Sequence, residues 1–512
     1  MKKKILIFLS PAILLLSSCV FLQSEDDIVE IEQVVIDVSS NTQNLYVEPP
    51  SMQLEPVQGG GLSVVSRRPS TLNPIINIDE SVNEVLGFIF ESLFVLLDGQ
   101  MEPMLAESLN QTSATSAILT LREATWSDGT SITTDDVAFT INAIRNNNSL
   151  FSVSNITSHN IIDERTIVLN FSSNIEFIDY ELTFPIIPRH HYQNRMNAAS
   201  LAPVGSGPFK FKEQTGRNII LTRNPNFRYN VYLSYVNIVI SPDRETDFNA
   251  FLGNVVTALT TNMSELAKYG ISITPFNTSP IFTYELDFFA FNTSNPHFSD
   301  VRVREAITLA FPFNALYNVY IGQITRSSSF VHPNSRHYVE GFLRENDLNR
   351  AFEELIEVGF SVENDLLGNS LDIFIPFMLR ILVNTENTER LSLANSLRNN
   401  LEQLGIQVNF MALPFNEFYE EVQAGNFDIL FAGTQLSNNF SAGFMNVFSY
   451  TAPSLSIYEL QRHINTQIPM VAIGFRNHIL LTNREELRGN IRPSPTNPFQ
   501  NVHEWFVGIR DI

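Results

Sequence analysis

Residues 379–431 read LRILVNTENTERLSLANSLRNNLEQLGIQVNFMALPFNEFYEEVQAGNFDILF, and their order of elements decides the architecture. Leu379 to Val383 is a short apolar run suited to a buried strand. From Thr388 to Leu404, the residues Leu391, Ala394, Leu397, Leu401 and Leu404 recur at helical spacing, and Gly405 supplies the stop. Ile406, Val408 and Phe410 alternate as a strand. Asn416 is placed to cap a second helix to Ala424, Gly425 ends it, and Phe427 to Phe431 forms a third strand. A β-α-β-α-β order with right-handed crossovers predicts a parallel sheet. Ligands of open α/β sheets bind beyond the carboxyl ends of the strands. Two segments are expected there as loops, Asn384-Thr385 and Gly433 to Asn439.

Working towards the N-terminus, LTLREATWSDGTSITTDDVAFTINAIRN (119–146) is a second legible unit. Leu119 and Leu121 alternate with polar neighbours as on a half-buried strand. Asp128-Gly129 marks a turn, Thr133 and Asp136 have capping-box spacing, and Val137, Ile141 and Ile144 follow at helical intervals. The paired acids Asp135 and Asp136 answer the helix dipole rather than catalyse. In GSGPFKFKE (205–213), Gly205 and Gly207 make a turn into a strand. With no GKS or GKT and no third glycine at dinucleotide spacing, they do not make a phosphate cradle.

The chain opens MKKKILIFLSPAILLLSSCVFLQSEDD. Three lysines precede the apolar run Ile5 to Leu16, which falls short of the roughly 20 residues a bilayer-spanning helix needs. Residues 1–18 therefore read as a signal peptide. Cys19 is the only cysteine in 512 residues and cannot form an intramolecular disulfide. Residues 19–60, acidic and proline-bearing and running into Gly59-Gly60-Gly61 at the start of the body, read as a disordered tether. The body, 61–512, is long enough for two or three lobes.

Composition excludes several functions. The formal net charge of −22 becomes −25 once the three signal lysines are removed, and only Lys210, Lys212 and Lys268 remain as lysines. A basic face for nucleic acid is absent, as is a polybasic patch for anionic lipid. Catalytic signatures are also missing. His190-His191 is the only histidine pair, and it lacks an HExxH frame or nearby cysteines, so no metal site is expected. No GxSxG elbow occurs, and Cys19 is accounted for at the N-terminus.

An ordered set of segments gives a family resemblance. In sequence these are RRPSTLNP (67–74), VLGFIFESLF (85–94), PMLAESL (103–109), LREATWSDGTSITTDDVAFTI (121–141) and GSGPFKF (205–211). RNPNF (223–227), FFAFNTSNPHFSDVRVREAITLAF (288–311), LEQLGIQV (401–408) and AGNFDILFAG (424–433) follow. Together they resemble the extracytoplasmic solute-binding proteins of peptide- and nickel-type ABC transporters, solute-binding protein family 5, in lipoprotein form. Leu16-Ser17-Ser18-Cys19 resembles the lipobox, which implies lipidation at Cys19 and anchoring on the extracytoplasmic face of the cell membrane. Two acyl chains are what stable anchoring needs.

The resemblance implies a periplasmic-binding-protein-like α/β fold with two lobes and an inserted subdomain. Lobe I is expected at about 61–96, 200–280 and 465–512, the insert at 97–199 and lobe II at 281–464. It further implies a monomer without cofactor or enzymatic activity that closes on a small solute, possibly a peptide, and delivers it to an ABC permease. A surface sensing lipoprotein without a permease, and a secreted hydrolase, are the alternatives. Matched positions nominate Ser66, Arg67, Arg68, Asn292, Thr434, Gln435 and Ser437 as ligand-binding residues.

This chain departs from the family where the pocket is expected. The family often reads Gly-Trp followed by Asp-Tyr where this chain has Gly433-Thr434-Gln435-Leu436-Ser437-Asn438. Thr434 replaces the tryptophan platform, and Ser437 replaces the acid that pairs with a peptide's α-amino group. The stretch from Phe440 to Glu459 is shortened, and Pro312-Phe313 stands where the family often has Asp-Arg. These departures predict that free peptide N-termini are not recognised through position 437.

Overall fold

The computed structural model describes residues 56–508, apart from 98, 173–176, 199–200, 342, 360, 365–370, 375–377, 437–441 and 484–486. Cys19 and Ser437 lie outside the described residues. Three sheets organise the body.

The first joins the ends of a long chain excursion. Its strands are β1 (Gly61–Ser66), β6 (Phe209–Thr215), β7 (Asn218–Arg223) and β8 (Tyr235–Ile240), in the order β1-β8-β7-β6. β1 and β8 run parallel and the remaining pairs antiparallel. The excursion builds the second sheet from β2 (Ala106–Ser113), β3 (Ser116–Leu121), β4 (Ile156–Ile161) and β5 (Thr166–Phe171), in the antiparallel order β2-β3-β5-β4. This whole sheet lies within the span 97–199.

In β3 every second residue is buried, which places Leu119 and Leu121 inward. Gly129 takes φ +92°, and Thr133 with Asp136 forms a capping box ahead of the helix Thr134–Asn146. Asp136 is buried and accepts from the backbone N–H groups of Thr133 and Arg189 and from Trp126 Nε1. It is tied into the fold. Gly205 sits so close to the Ile89 carbonyl that a Cβ there would lie 2.1 Å from its oxygen, so tight packing requires that glycine.

The third sheet has seven strands. Its path runs β9 (Ala258–Thr261), β14 (Met470–Asn483), β10 (Phe276–Phe291), β13 (Ile429–Gln435), β11 (Leu379–Asn384) and β12 (Val408–Leu413), with the short strand Ile324–Thr325 beside β14. β11, β12 and β13 are parallel, with the first strand central, as right-handed crossovers require. β10 pairs antiparallel with β13 and with β14, so the sheet as a whole is mixed.

The crossover helices are Thr388–Gln403 and Phe415–Ala424. Their stops are Gly405 at φ +82° and Gly425 at φ +68°. Leu393, Ala394, Leu397 and Leu401 are buried on the first helix, while Leu391 packs only partly. Alternate residues of β11 enter opposite cores, with Ile381 and Val383 on one face and Leu382 on the other. Burial on both faces is why the strand reads as a continuous apolar run.

Four sequence expectations shift here. The second parallel strand begins at Val408, two residues late, because Ile406 turns inward after the Gly405 stop. The second helix begins at Phe415 behind Pro414, whose ring fixes φ at a value suited to a helix start, so Asn416 is inside the first turn rather than at the cap. The third strand spans 429–435 rather than 427–431. Gly433, Thr434 and Gln435 are therefore strand residues and not a loop, because Asp287, Leu286 and Glu285 of β10 extend the ladder alongside them.

The expected lobe boundary at 280/281 falls inside β10, a sixteen-residue strand. β10 and the fourteen-residue β14 pair along nearly their full lengths, with register shifts between Phe282 and Leu286 and between Asp287 and Phe288. One sheet thus runs on across position 280.

Candidate functional site

The site is built outward from the seven-residue helix α1 (Glu80–Leu86). Asp79 caps it by accepting from the Ser81 and Val82 amides. Val82, Val85 and Leu86 face the core. Glu80, Asn83, Glu84 and Gly87 stand at i, i+3, i+4 and i+7, so they share the other face. All four line one cavity of about 430 Å³. That volume lies within the range of small-molecule sites.

Walls come from four further parts of the chain. Leu150, Phe151 and Thr183 belong to the excursion. Thr283, Glu285, Gln435 and His478 come from the long antiparallel strands and their neighbour. Asn497 closes the space from the C-terminal segment, so tightly against Gly87 that a Cβ on that glycine would lie 2.3 Å from its amide nitrogen.

The cavity is acidic. Glu80, Glu84, Glu91 and Glu285 line it, while among the described residues the basic side chains doing so are His478 and His503. Glu91 is neutralised by Arg228, whose Nη1 donates to Oε2 at 2.9 Å and whose Nη2 stands 2.7 Å from Oε1. Glu285 stands 3.5 Å from His478 Nε2. Burial holds His503 below its ordinary range and so favours the neutral ring.

Glu84 differs from both paired acids. It makes no hydrogen bond or ion pair with any described residue. Burial pushes its carboxyl up to about 7, aided by the like charges of Glu80 and Asp79 and opposed by Arg244. Arg244 is already committed to Glu265 and Asp247.

The residues nominated from sequence fall elsewhere, with one exception. Ser66 is buried and donates to the Ser81 carbonyl. Arg67 makes a two-pronged ion pair with Asp247, at 2.9 and 2.8 Å, and also donates to the Ser241 carbonyl. Arg68 is exposed. Asn292 is buried and donates to the carbonyls of Gly425 and Phe427, which closes the end of the β-α-β unit. Thr434 is half-buried in its strand. Gln435 lines the cavity, and it is the nominated residue among those described that does so. His190 bonds Asp128 at 2.8 Å, and no group of three metal-ligating side chains occurs among the described residues.

Sequence reasoning missed α1. Its signal was present in ESVNEVLG (80–87): polar residues and a glycine on one helical face, apolar ones on the other. A surface helix gives the same pattern, and only the folded chain puts walls opposite the polar face.

Sheets shared between two lobes, an inserted antiparallel subdomain and a cavity among them define a two-lobed periplasmic-binding-protein type of fold. The chain belongs to the bacterial extracellular solute-binding proteins, family 5, whose pattern matches residues 100–456. A binding protein of Brucella melitensis is 25% identical over 395 residues, covering 63% of this chain and 61% of that one. The chain therefore spans about 61% of the length of this relative and of its Brucella suis counterpart. The oligopeptide-binding protein AppA of Bacillus subtilis is 23% identical over 437 residues, covering 75% of each chain. Among solved structures, the ABC transporter substrate-binding protein CtaP of Listeria monocytogenes superimposes with a TM-score of 0.70 at 19% identity, covering 88% of this chain and all of that one. These are binding proteins and not enzymes. No helix among the described residues is long and apolar enough to cross a membrane.

Proposed function

We propose that this protein is the extracytoplasmic receptor of an ABC importer, which captures a small solute in the cavity beside α1 and delivers it to a permease. The observation that carries this reading is the cavity itself. Lobe I, the insert and the long strands leading to lobe II all contribute to it, so a bound solute would contact both sides at once. A ligand that prefers the closed arrangement shifts the open–closed equilibrium by that preference. In this reading lobe I takes in the first sheet, residues 97–199 form the insert, and the parallel part of the third sheet lies in lobe II. Cys19 carries the lipid that holds the protein at the membrane, and the receptor acts as a monomer. Supporting the importer role are family membership and the name of the Listeria structure.

The test uses the full chain. A solute found by thermal-shift screening should lower the radius of gyration in small-angle scattering. Gln435→Trp adds bulk at an exposed position on the cavity wall, so it should weaken that solute at least tenfold while leaving the fold intact. A solute that binds equally to wild type and variant, with no change in scattering, would refute the cavity as the site. Fatty-acid labelling of wild type but not of Cys19→Ser would support the anchor, and equal labelling would remove it.

A further inference from the structure

The cavity has an electrostatic demand of its own. It holds the carboxylate of Glu84 without a partner, and no lysine or arginine lies among its lining residues. A second group on the same wall is also unanswered. The Thr260 hydroxyl is buried with no hydrogen-bond partner among the described residues. Buried polar groups are normally satisfied, and exceptions ask for an explanation. Around the same space, Glu91 and Glu285 already have Arg228 and His478. Arg244, whose charge acts on Glu84, is held by Glu265 and Asp247 and donates to the Thr260 carbonyl. Nothing among the described residues completes this wall.

We infer that the solute carries a positively charged amine, which Glu84 receives as its ion-pair partner while Thr260 offers its hydroxyl nearby. This deepens the receptor reading and rests on it. An ammonium group fits better than a bare metal ion, since no described cluster supplies three metal-ligating side chains. A free carboxylate on the solute would meet Glu80 and Glu84, with no arginine or lysine among the described lining residues to receive it. The ligand therefore presents its charge as a cation here, with any acid blocked or turned away. Ser437 no longer needs to act as the amine's partner. The acid comes from α1, in the other half of the chain.

The pairing also sets a pH dependence. Glu84 is faced by Asp79 and Glu80 on its own segment, by Arg244 across from it, and by Glu91, Glu285, His478 and His503 around the cavity. With burial raising the carboxyl to about 7, a proton and the ammonium group compete for it. Amine affinity should fall as pH drops below about 7, approaching tenfold per unit, and binding at pH 7 should release protons.

The probes are methylammonium, glycinamide and L-lysinamide, each beside a neutral counterpart (acetamide, N-acetylglycinamide and bis-acetylated lysinamide), with glutarate as an anion. Each is titrated against the full chain in phosphate buffer by calorimetry and thermal shift. At least one amine should bind, its neutral counterpart at least tenfold more weakly, and glutarate not at all. Glu84→Gln should lose at least tenfold in amine affinity and flatten the pH profile. Equal binding of the neutral counterpart, unchanged affinity in Glu84→Gln, preference for glutarate, or no amine binding at 100 mM would each overturn the inference. If a neutral or anionic solute binds and Gln435→Trp blocks it, the charge assignment fails and the receptor cavity stands. If an amine binds Gln435→Trp and wild type alike, the cavity reading fails too.

Discussion

Two acids in this protein, Asp287 and Glu84, have opposite circumstances. Asp287 is buried at the register shift of β10 and accepts from three side chains: Tyr320 Oη at 2.6 Å, Arg476 Nε at 2.8 Å and Arg390 Nη1 at 3.3 Å. Gly433 leaves room for this cluster, since a Cβ there would lie 2.0 Å from Arg390 Nη1. Arg476 also donates to Asn387, so the cluster reaches the start of the first crossover helix. Glu84 faces a cavity and has no partner among the described residues. A saturated buried charge is part of the scaffold, because its neighbours have already compensated for lost water. An unsaturated one at a cavity wall leaves room for something from outside. Charge alone does not separate the two roles, and Glu84 is half-buried where Asp287 is fully buried. The donors already present do.

The sharpest way to break the contrast is Asp287→Ala. It leaves Arg390 without a carboxylate and Arg476 with only the more distant Glu389, at 3.7 Å, and should cost about 3–5 kcal/mol, read as a shifted midpoint in urea unfolding. A change near zero would mean that the cluster is no scaffold.

Glu84→Gln should behave the other way. Its folded-state carboxyl, raised to about 7, lies above the ordinary glutamate value. The unfolded chain therefore gives up that proton more readily, and wild type loses stability from this group as pH rises from about 4.5 to about 7. Glu84→Gln removes the loss and should be more stable than wild type at pH 8, by on the order of 1–3 kcal/mol. The gap should close near pH 4. Thermal melts across that range check the sign, and a variant less stable at pH 8 would place Glu84 with Asp287.

Arg67→Ala gives the smallest effect and sharpens the distinction among candidates. Asp247 keeps Arg244 at 3.2 Å, so the loss should be about 1–2 kcal/mol, with no change in solute affinity. A tenfold loss of affinity at unchanged stability would return Arg67 to the ligand.

What the sequence made legible follows the same physics. The parallel unit from Leu379 to Phe431 could be read because strands buried on both faces are continuous apolar runs and because Gly405 and Gly425 end their helices at left-handed positions. Family resemblance supplied the two-lobed fold, which periodicity alone did not reach. Extension of the third strand through Gln435 escaped notice because it depends on β10, some 145 residues earlier, lying beside it. Ser66, Arg67 and Asn292 were nominated by motif position, and their internal partners Ser81, Asp247 and Gly425 are invisible until the chain folds. Glu84 escaped for the converse reason. A glutamate on a short amphipathic helix reads as solvated, and only the approach of residues near Asn497, over 400 positions away, encloses it.

In the proposed lobe division β10 passes from lobe I to lobe II alongside β14, and their shared ladder is interrupted at Phe282/Leu286 and Asp287/Phe288. In mechanical terms such a joint is a flexure rather than a pivot. Bending is concentrated where the ladder is thinned, yet both ribbons remain continuous, so rotation meets a restoring stiffness. A lobe held in this way cannot swing to arbitrary angles as it could on a loose linker. For the proposed receptor, the same elastic geometry would bring the halves back to one resting opening after each release.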